Sequence, residues 1–352
     1  MKRKAGKTLV IVSPGFPAHE ADDTCIPPRQ IFVKALKQRY PELDIVVLTL
    51  QYPFFSKTYQ WHGVEVRSLG GVNKGRIYGW FTYIRVWVTL LRLRRERELI
   101  GLLSFWLGKC SFIASRFAKQ YKLKHYSWIL GQDAKPGNKF VARIKPSGAS
   151  LIALSDFIRA EFERNYAITP QHIIPVGIDT SLFGTNMQDR NVDIVGAGSL
   201  IPLKQYDVFL EIIARLKPIF PKLKAVICGD GVERKRLENM ITELGLVNNV
   251  TMAGRMSNRE VIKHMQQSKI FLHTSNYEGF GTVCLEALFA GAKVVSFVKP
   301  MNVAIKNWHA GHDKESMVAL LQNLLQDTNA VYEPVLPYTA TDIAEQVFKL
   351  YQ

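Results

Sequence analysis

Residues 275–291 read SNYEGFGTVCLEALFAG, and this stretch decides the fold. Two glutamates, Glu278 and Glu286, bracket seven residues, and a Gly-Phe-Gly turn follows the first of them. Apolar runs at 271–273 and 294–297 flank the stretch, so the pattern predicts a strand, a glycine turn, a helix and a second strand. Glycines let a ligand approach the backbone closely, and the N-terminus of a helix offers free N–H groups to an anion. Two carboxylates beside a turn that accepts phosphate suit a sugar nucleotide.

The rest of the chain repeats this alternation of strands and helices. Predicted strands lie at 9–12, 45–48, 64–67, 102–105, 126–130, 151–154, 193–195, 224–228, 250–252, 270–273 and 293–297, and residues 173–179 are predicted to form a strand and a turn. Predicted helices lie at 29–39, 76–99, 110–122, from 156, 206–216, 232–244, 258–266, 282–290, 314–325 and 341–351. Such alternation indicates parallel sheets with helices on both faces.

We therefore expect an α/β protein with two Rossmann-like parallel-sheet domains that face each other across a cleft. The polar, glycine-containing residues at 180–191 are typical of a hinge, so the predicted domains are 1–180 and 181–335. A helix within 336–352 has no strand left to pair with, and we expect it to pack back toward the N-terminal domain. Ligands of such sheets bind at the carboxyl ends of the strands, which predicts a site in the cleft.

The positive charge is concentrated in the first half of the chain. Residues 1–180 carry 28 Lys and Arg against 13 Asp and Glu, whereas residues 181–352 carry 18 against 17. A basic domain predicts an anionic partner, such as a membrane surface, a nucleic acid or a lipid phosphate. No zinc knuckle, arginine-rich tail or RNA-binding motif is present in the sequence, so we expect no nucleic acid.

The predicted helix over 76–99 is basic and aromatic, which is typical of a helix that lies at a membrane surface. The expected membrane-facing residues are Trp80, Arg85, Trp87, Arg92, Arg94 and Arg95. No run reaches about 18 apolar residues, so no spanning helix is expected. The apolar run at 9–12 is too short for the core of a signal peptide, and the four widely spaced cysteines form no metal or redox motif. These features predict a cytoplasmic protein held peripherally at the inner face of a membrane.

Several motifs together resemble the retaining glycosyltransferases of family 4, also called glycosyl transferases group 1, which have the GT-B fold. The two glutamates of the opening stretch form the E-x7-E element, which is the most specific of these motifs. The other matching segments are the loop at 198–204, the interdomain motif at 174–183, the glycine turn at 229–231 and the nucleobase-side loop at Gly254 and Arg255. The resemblance covers nearly the whole chain and is strongest over 152–300.

The resemblance implies a role for each motif residue. Glu278 would contact the donor sugar and support departure of the leaving group, and Glu286 would bind the ribose hydroxyls. Lys204 lies near a helix start, where a cation is electrostatically disfavoured, so a diphosphate is its expected partner. The implied donor-binding residues are Ser199, Lys204, Gly229, Gly254, Arg255, Gly279, Phe280, Gly281, Thr282, Val283 and Glu286. Tyr277 and His273 are expected to be packing residues.

Three positions depart from the family pattern. Ser199 stands where the family has an arginine for the diphosphate, and Val176 replaces a common asparagine. Leu130 occupies the place of the usual histidine, so either Asp133 or Gln132 is expected to substitute for it, and Asp133 is the predicted catalytic residue of the N-terminal domain. His19 and Glu20, in the long loop after the first strand, are the predicted acceptor-side residues.

The resemblance implies a hexosyltransferase that moves a sugar from a UDP- or GDP-type donor to a glycan or lipid-linked acceptor with retention. The N-terminal domain would bind the acceptor and the C-terminal domain the donor, in bacterial-type polysaccharide or cell-surface glycan synthesis. No acidic DxD-type pair sits at a strand end, so no metal and no cofactor are expected.

Two alternatives remain. One is a GT-B protein that binds a sugar nucleotide without turnover, because the family arginine and histidine are missing. The other is a nucleic-acid binder, which rests on charge alone.

Overall fold

The computed structural model describes residues 6–22, 25–71, 75–184 and 189–352, with the backbone alone for 75–80. The chain divides into two compact units, Met1–Gly177 with Tyr338–Gln352 and Ile178–Pro337. The boundaries expected from the sequence, 180 and 335, lie close to these positions. The first unit is therefore built from two separate segments of the chain, and the second unit from one.

The first unit contains an eight-stranded sheet and five helices from its first segment. Its strands are β1 (Lys7–Gly15), β2 (Asp44–Tyr52), β3 (Ser56–Trp61), β4 (Val64–Leu69), β5 (Glu98–Phe105), β6 (Lys124–Ile129), β7 (Leu151–Ala153) and β8 (His172–Ile173). Its helices are α1 (Pro27–Arg39), α2 (Gly75–Glu96), α3 (Lys109–Tyr121), α4 (Lys139–Ile144) and α5 (Asp156–Tyr166). The strand order is β3-β4-β2-β1-β5-β6-β7-β8, and all pairs are parallel except the hairpin β3–β4 at one edge.

The second unit contains a six-stranded sheet in which every pair is parallel. Its strands are β9 (Val192–Ala197), β10 (Ala225–Cys228), β11 (Val250–Gly254), β12 (Ser268–His273), β13 (Lys293–Ser296) and β14 (Trp308–Ala310). Its helices are α6 (Tyr206–Leu216), α7 (Arg234–Glu243), α8 (Asn258–Gln266), α9 (Thr282–Phe289) and α10 (Lys314–Gln326). The strand order is β11-β10-β9-β12-β13-β14.

The central strands are apolar because helices cover both faces of each sheet. Residues 9–12 of β1 are fully buried, and β12 contributes Ile270 and Leu272 to the core of the second unit. Helix starts are set by local hydrogen bonds: the Ser155 hydroxyl accepts from the Ile158 N–H at α5, and Ser257 forms a capping box with Glu260 at α8.

The last helix, α11 (Ala340–Lys349), packs on the first unit against α1. The Phe348 ring lies 4.1 Å from the Tyr40 ring between centroids, and the buried Tyr351 hydroxyl donates to the Leu102 carbonyl at 2.8 Å. A Cβ on Gly101 would lie 2.5 Å from the Tyr351 ring, so β5 needs a glycine beside this tyrosine. The structure thus places the C-terminal helix where the sequence prediction put it.

The structure differs from the sequence prediction at four elements. Helix α2 ends at Glu96 and not at 99, because Glu98 and Leu99 already pair with β1 at the centre of the sheet. The sequence did not predict β3, α4 and β14. Each is short, and β3 is mostly exposed, so none carries a strong hydrophobic pattern.

Candidate active site

The second unit has the strand order of dinucleotide-binding folds, 3-2-1-4-5-6 when its strands are numbered along the chain. The order reverses between β9 and β12, and ligands of such sheets bind outside the carboxyl ends of the strands at that point. Strand β9 ends at Ala197 and β12 at His273, so the loops that follow them meet at the reversal point.

The loops after β9, β10 and β11 are joined by backbone hydrogen bonds. The N–H of Gly198 donates to the Cys228 carbonyl at 3.0 Å, and the N–H of Gly229 donates to the Gly254 carbonyl at 2.8 Å. A Cβ on Gly229 would lie 1.9 Å from the Gly198 carbonyl oxygen, and one on Gly231 would lie 2.4 Å from that of Leu200. These glycines are therefore required for packing one loop on another.

The loops after β9 and β12 are joined by side chains. The Thr274 hydroxyl donates to the Lys204 carbonyl at 2.9 Å, and the Ser275 hydroxyl donates to the Leu203 carbonyl at 3.0 Å. Since these bonds fix the backbone of Lys204 beside the residues after β12, the Lys204 ammonium reaches Glu278.

Three side chains meet at the reversal point. The Glu278 Oε1 atom accepts from the Lys204 ammonium and lies 3.1 Å from the His273 Nε2 atom. Burial alone would raise the pKa of Glu278, but the hydrogen bond from His273 and the Lys204 ammonium lower it to about 2. Glu278 is therefore a carboxylate held by two hydrogen-bond donors, and the Lys204 ammonium is paired with a carboxylate of the protein itself.

His273 was expected to be a packing residue, and its ring does stack on that of Phe271, with 6.2 Å between the ring centroids. Its ring is almost completely buried, yet it hydrogen bonds to Glu278. The available signal was its position as the last residue of β12, directly at the reversal point of the sheet. The strand order places His273 at the reversal point, and this order is known only from the tertiary structure.

The glycine turn leads into the N-terminus of α9. Gly281 precedes the helix with φ of 83°, a left-handed conformation that glycine adopts without strain, and within the described chain no side chain caps the helix. The first-turn N–H groups of Thr282 and Val283 have no partner inside the helix. The Phe280 ring is buried edge-on against Trp308, so this residue could meet a ligand only through its backbone.

Glu286 lies one turn further along α9 and is largely buried. Burial raises its pKa to about 7, although the Asn258 amide donates to it at 3.4 Å and opposes this shift. Gly254 is the last residue of β11, and Arg255, whose side chain is exposed, lies in the loop between β11 and α8. Ser199, in place of the family arginine, is exposed on the loop after β9. The predicted donor-binding residues therefore come from the loops after β9, β10, β11 and β12.

The structure gives Asp133 a structural role. One carboxylate oxygen accepts from the Leu107 N–H at 2.8 Å, and the other accepts from the N–H groups of Leu130 and Gly131, both at 2.9 Å. The side chain is buried, which raises its pKa, although these backbone hydrogen bonds oppose the shift. Asp133 joins the loops after β5 and β6, and we withdraw its assignment as the catalytic residue.

The two predicted acceptor-side residues lie in the exposed loop after β1. The carboxylate of Glu20 accepts from the backbone N–H of His62 at 2.8 Å, in the turn between β3 and β4. His19 is exposed, and its carbonyl accepts from the Asp22 N–H at 3.1 Å. Glu20 thus connects the loop after β1 to the edge hairpin, while an acceptor role for either residue stays a prediction.

The predicted membrane-facing residues of α2 do not share one face. Trp87 packs edge-on against the buried Phe117 ring at 5.2 Å, and the Arg94 guanidinium lies over the Tyr121 ring at 4.4 Å, so both turn toward α3. The side chain of Trp80 lies outside the described residues. Arg85, Arg92 and Arg95 are exposed. The prediction for Trp87 is therefore corrected, because its ring packs against the core of the first unit, whereas the Arg94 side chain is exposed.

No helix in the described parts of the chain combines the length and apolar character that a membrane span needs. Likewise, no three His, Cys, Asp or Glu side chains among the described residues are clustered as a metal site would require. The absence of a metal requirement stays a prediction.

Comparison with known proteins identifies the class of the second unit. Residues 179–331 match the family model of glycosyl transferases group 1. The phosphatidylinositol N-acetylglucosaminyltransferase gpi3 subunit of Schizosaccharomyces pombe is 29% identical over 160 residues, which are 42% of this chain and 35% of that protein. The MMP alpha-(1->4)-mannosyltransferase of Mycolicibacterium hassiacum is 27% identical over 161 residues, which are 45% of this chain and 38% of that protein.

The solved structures extend the similarity of fold to both units. Sucrose-phosphate synthase from Thermosynechococcus elongatus superposes with a TM-score of 0.68 and 16% identity over 98% of each chain. Anabaena HepE in complex with UDP-glucose superposes with a TM-score of 0.65 and 18% identity over 99% of this chain and 97% of that one. The two Rossmann-like units therefore have the GT-B fold.

The resemblance to the glycosyl transferases of group 1 is thereby confirmed, and assignment to family 4 stays a prediction. The sequence alignments cover 35% and 38% of the two curated relatives, which is well under two thirds of their lengths. The match to the family model falls on the unit that contains Lys204, Glu278 and Glu286.

Proposed function

We propose that this protein is a retaining, metal-independent hexosyltransferase that moves a sugar from a nucleotide diphosphate to a glycan or lipid-linked acceptor. The observation that carries the proposal is the cluster of Lys204, Glu278 and His273 at the reversal point of a dinucleotide-type sheet. It lies in the unit that matches the group 1 family model. Bacterial-type polysaccharide or cell-surface glycan synthesis is the expected setting.

Each side chain of the cluster has a role in this proposal. A diphosphate carries more negative charge than one carboxylate, so the Lys204 ammonium would leave Glu278 for the donor phosphates. Glu278, still held by His273, would then accept a hydrogen bond from the donor sugar. The N–H groups of Thr282 and Val283 would bind the diphosphate, because a helix N-terminus favours anions.

Catalysis would consist mainly of stabilising the leaving group. As the bond between the sugar and the diphosphate breaks, negative charge develops on the phosphate oxygen, and Lys204 and the N-terminus of α9 would stabilise it. The acceptor hydroxyl would attack the same face of the sugar and give its proton to that phosphate oxygen, which retains the configuration. These groups supply the positive charge for which other transferases use a metal.

The donor is proposed to be of UDP or GDP type, with Glu286 on the ribose hydroxyls. HepE binds UDP-glucose with the same fold, which supports a nucleotide sugar without choosing the base. The Schizosaccharomyces pombe relative is by name a phosphatidylinositol glycosyltransferase, which supports an acceptor carried on a lipid. We therefore also propose that the protein is cytoplasmic and binds peripherally to an anionic membrane.

Two observations favour a second candidate function, binding of a sugar nucleotide without turnover. Ser199 replaces the family arginine, and the buried carboxylate of Asp133 accepts from three backbone N–H groups. Lys204 would then be the main cation at the diphosphate. Release of free sugar or transfer product from a nucleotide sugar by the pure protein separates an enzyme from a binding protein.

The proposal is tested by nucleotide binding to Lys204→Ala. A thermal-shift screen of UDP, GDP and their sugars first finds the ligand, because binding at a hundredfold excess over Kd adds about 2.7 kcal/mol of stability. Loss of the charge-assisted contact in Lys204→Ala should weaken diphosphate binding by about 2–3 kcal/mol. Binding of the free nucleoside should hardly change.

The matched control is Lys222→Ala, which removes an exposed lysine of the same unit. It should bind every ligand as the parent does. If Lys204→Ala loses nucleoside and nucleotide affinity equally, Lys204 does not meet the phosphates. A rate that EDTA abolishes would overturn the metal-independent mechanism.

A further inference from the structure

The first unit contains a cavity that the nucleotide proposal does not use. It has a volume of about 520 Å³ and lies between the edge hairpin β3–β4 and the outer side of α2. Cationic residues from all three elements line it, namely Lys57, Arg67, Arg85 and Arg92. None of the described residues that line it is acidic.

The four cations are not equivalent. Arg67 is paired with the carboxylate of Glu65, which also binds Arg97. Arg85 is held in place because its guanidinium donates to the Leu69 carbonyl and the Ser56 hydroxyl, both on the wall of the cavity. Within the described part of the chain, neither Lys57 nor Arg92 pairs with a carboxylate. The cavity therefore has an excess of positive charge.

Apolar side chains are exposed at the same place. Phe81, Ile84 and Val88 follow each other at helical spacing on α2 and are 62%, 45% and 39% exposed. Ile84 and Val88 line the cavity together with the cations, and Phe55, also exposed, precedes Ser56 of its wall. A row of exposed large apolar residues beside a cationic cavity suits a ligand that is anionic at one end and apolar at the other.

We propose that this cavity binds the phosphate of an anionic phospholipid while Phe81, Ile84 and Val88 enter the adjoining acyl region of the membrane. The charge selects the headgroup, because cations without carboxylate partners are available to a phosphate. The apolar row requires a lipid within a bilayer, since free phosphate would leave these side chains in water. The inference deepens the proposed peripheral membrane binding by giving it a site.

The test is cosedimentation with vesicles of phosphatidylcholine alone or mixed with phosphatidylglycerol. The parent should bind only the mixed vesicles. Lys57→Gln with Arg92→Gln should weaken this binding about 30-fold, since each basic residue at an anionic surface contributes about 1 kcal/mol. Ile84→Ser with Val88→Ser should weaken binding to the same vesicles and leave its dependence on salt unchanged.

The matched control removes two exposed charges of the same unit outside the cavity, Arg94→Gln with Lys119→Gln. It should weaken binding less than about threefold. If the two charge-removing double variants lose the same affinity for the mixed vesicles, general charge attraction, and not this cavity, holds the protein at the membrane. If inorganic phosphate occupies the cavity as readily as the vesicles do, the ligand is a free anion and the lipid assignment is overturned.

Nucleotide binding provides an independent readout in every variant. In both double variants the nucleotide should shift the melting temperature as much as in the parent, which shows that the second unit is folded and still binds its ligand. If no nucleotide binds the parent but the vesicle results hold, the proposed activity fails and the lipid site stands. If nucleotides bind and the parent ignores anionic vesicles, the lipid site fails alone.

Discussion

Glu278 keeps its negative charge in a largely buried place because two donors surround it. Its pKa of about 2 follows from the hydrogen bond of His273 and the charge of Lys204, which outweigh the effect of burial. At neutral pH the Glu278 carboxylate and the Lys204 ammonium form an ion pair without net charge. A donor diphosphate must therefore displace the Glu278 carboxylate from Lys204.

Changing Glu278→Gln should lower turnover by a factor of about 100 or more while nucleotide affinity stays near that of the parent. Glutamine keeps the shape of the side chain but loses the charge that we assign to the sugar. Lys204 stays available to the diphosphate. Transfer rates and nucleotide affinities, measured on the same preparations, check this. If the mutant transfers sugar at the rate of the parent, Glu278 is not part of the active site.

Glu286 should make nucleotide binding depend on pH. Its pKa is raised to about 7, so the folded protein binds this proton more tightly than the unfolded chain, and Glu286 costs stability as the pH rises toward 7. Since the ribose hydroxyls need the carboxylate, affinity should fall about tenfold per pH unit below 7 and level off above it.

Calorimetry at several pH values should accordingly detect proton release when the nucleotide binds near pH 6. Glu286→Gln should bind more weakly at pH 8 and lose the pH dependence. Glu243→Gln, which changes an exposed glutamate of the same unit, should keep the parent profile. A parent affinity that does not change between pH 6 and 8 would show that the ligand does not contact Glu286.

The sequence provided candidate site residues but not their contacts. The glycine turn pointed to Glu278, and the resemblance of residues 198–204 to the family loop pointed to Lys204. The pairing of these two side chains could not be predicted, because it depends on the bonds of Thr274 and Ser275 to the loop after β9. Asp133 was misassigned for the same reason: its partners, the N–H groups of three loop residues, are set by tertiary structure.

At the scale of elements, strands and helices with many buried apolar residues were predicted well. Strand β12 and helix α6 occur almost where their patterns placed them. Strand β3 has no such pattern, because it is an exposed edge strand whose partner β4 supplies the buried side chains. Strand β14 has three residues, too few for a periodicity, and its place follows from pairing with β13.

The loops at the carboxyl ends of the strands should be sensitive to a single methyl group. Gly229→Ala should lower the free energy of unfolding by about 3 kcal/mol, because the new Cβ would overlap the Gly198 carbonyl oxygen, 1.9 Å away. Urea titrations of the two proteins measure this difference.

Gly184→Ala is the matched control in the same unit, since no atom of the described residues would lie within 4 Å of a Cβ added there. Its free energy of unfolding should stay within about 0.5 kcal/mol of the parent. If both substitutions have the same small effect, the loops after β9 and β10 can move apart to accommodate the methyl group, despite the close approach of Gly229 to Gly198.

At the scale of the whole molecule, the first unit depends on residues from both ends of the chain. Tyr351→Ala should lower its free energy of unfolding by about 3–5 kcal/mol, because a buried ring leaves a cavity beside Gly101. Tyr351→Phe should cost about 1 kcal/mol, the contribution of the hydrogen bond to Leu102.

Hydrogen exchange locates the effect of these changes. Amides of β5 and β6 should exchange faster in Tyr351→Ala, and those of the second unit should not. Gln352→Ala, at an exposed neighbour, should match the parent throughout. Faster exchange in the second unit alone would contradict the assignment of α11 to the first unit.

The return of the chain to the first unit also has a consequence during synthesis on the ribosome. The second unit is one continuous segment, Ile178–Pro337, so its sheet can form as soon as that segment has emerged. By then the first segment of the first unit, which ends at Gly177, has waited for the time needed to make some 160 further residues, about 8–32 s at the usual rates. Only when Tyr351 emerges does the edge of its core beside Gly101 close. The half of the protein that is made first is therefore the half that is finished last, and it is the half open to chaperones and proteases for longest.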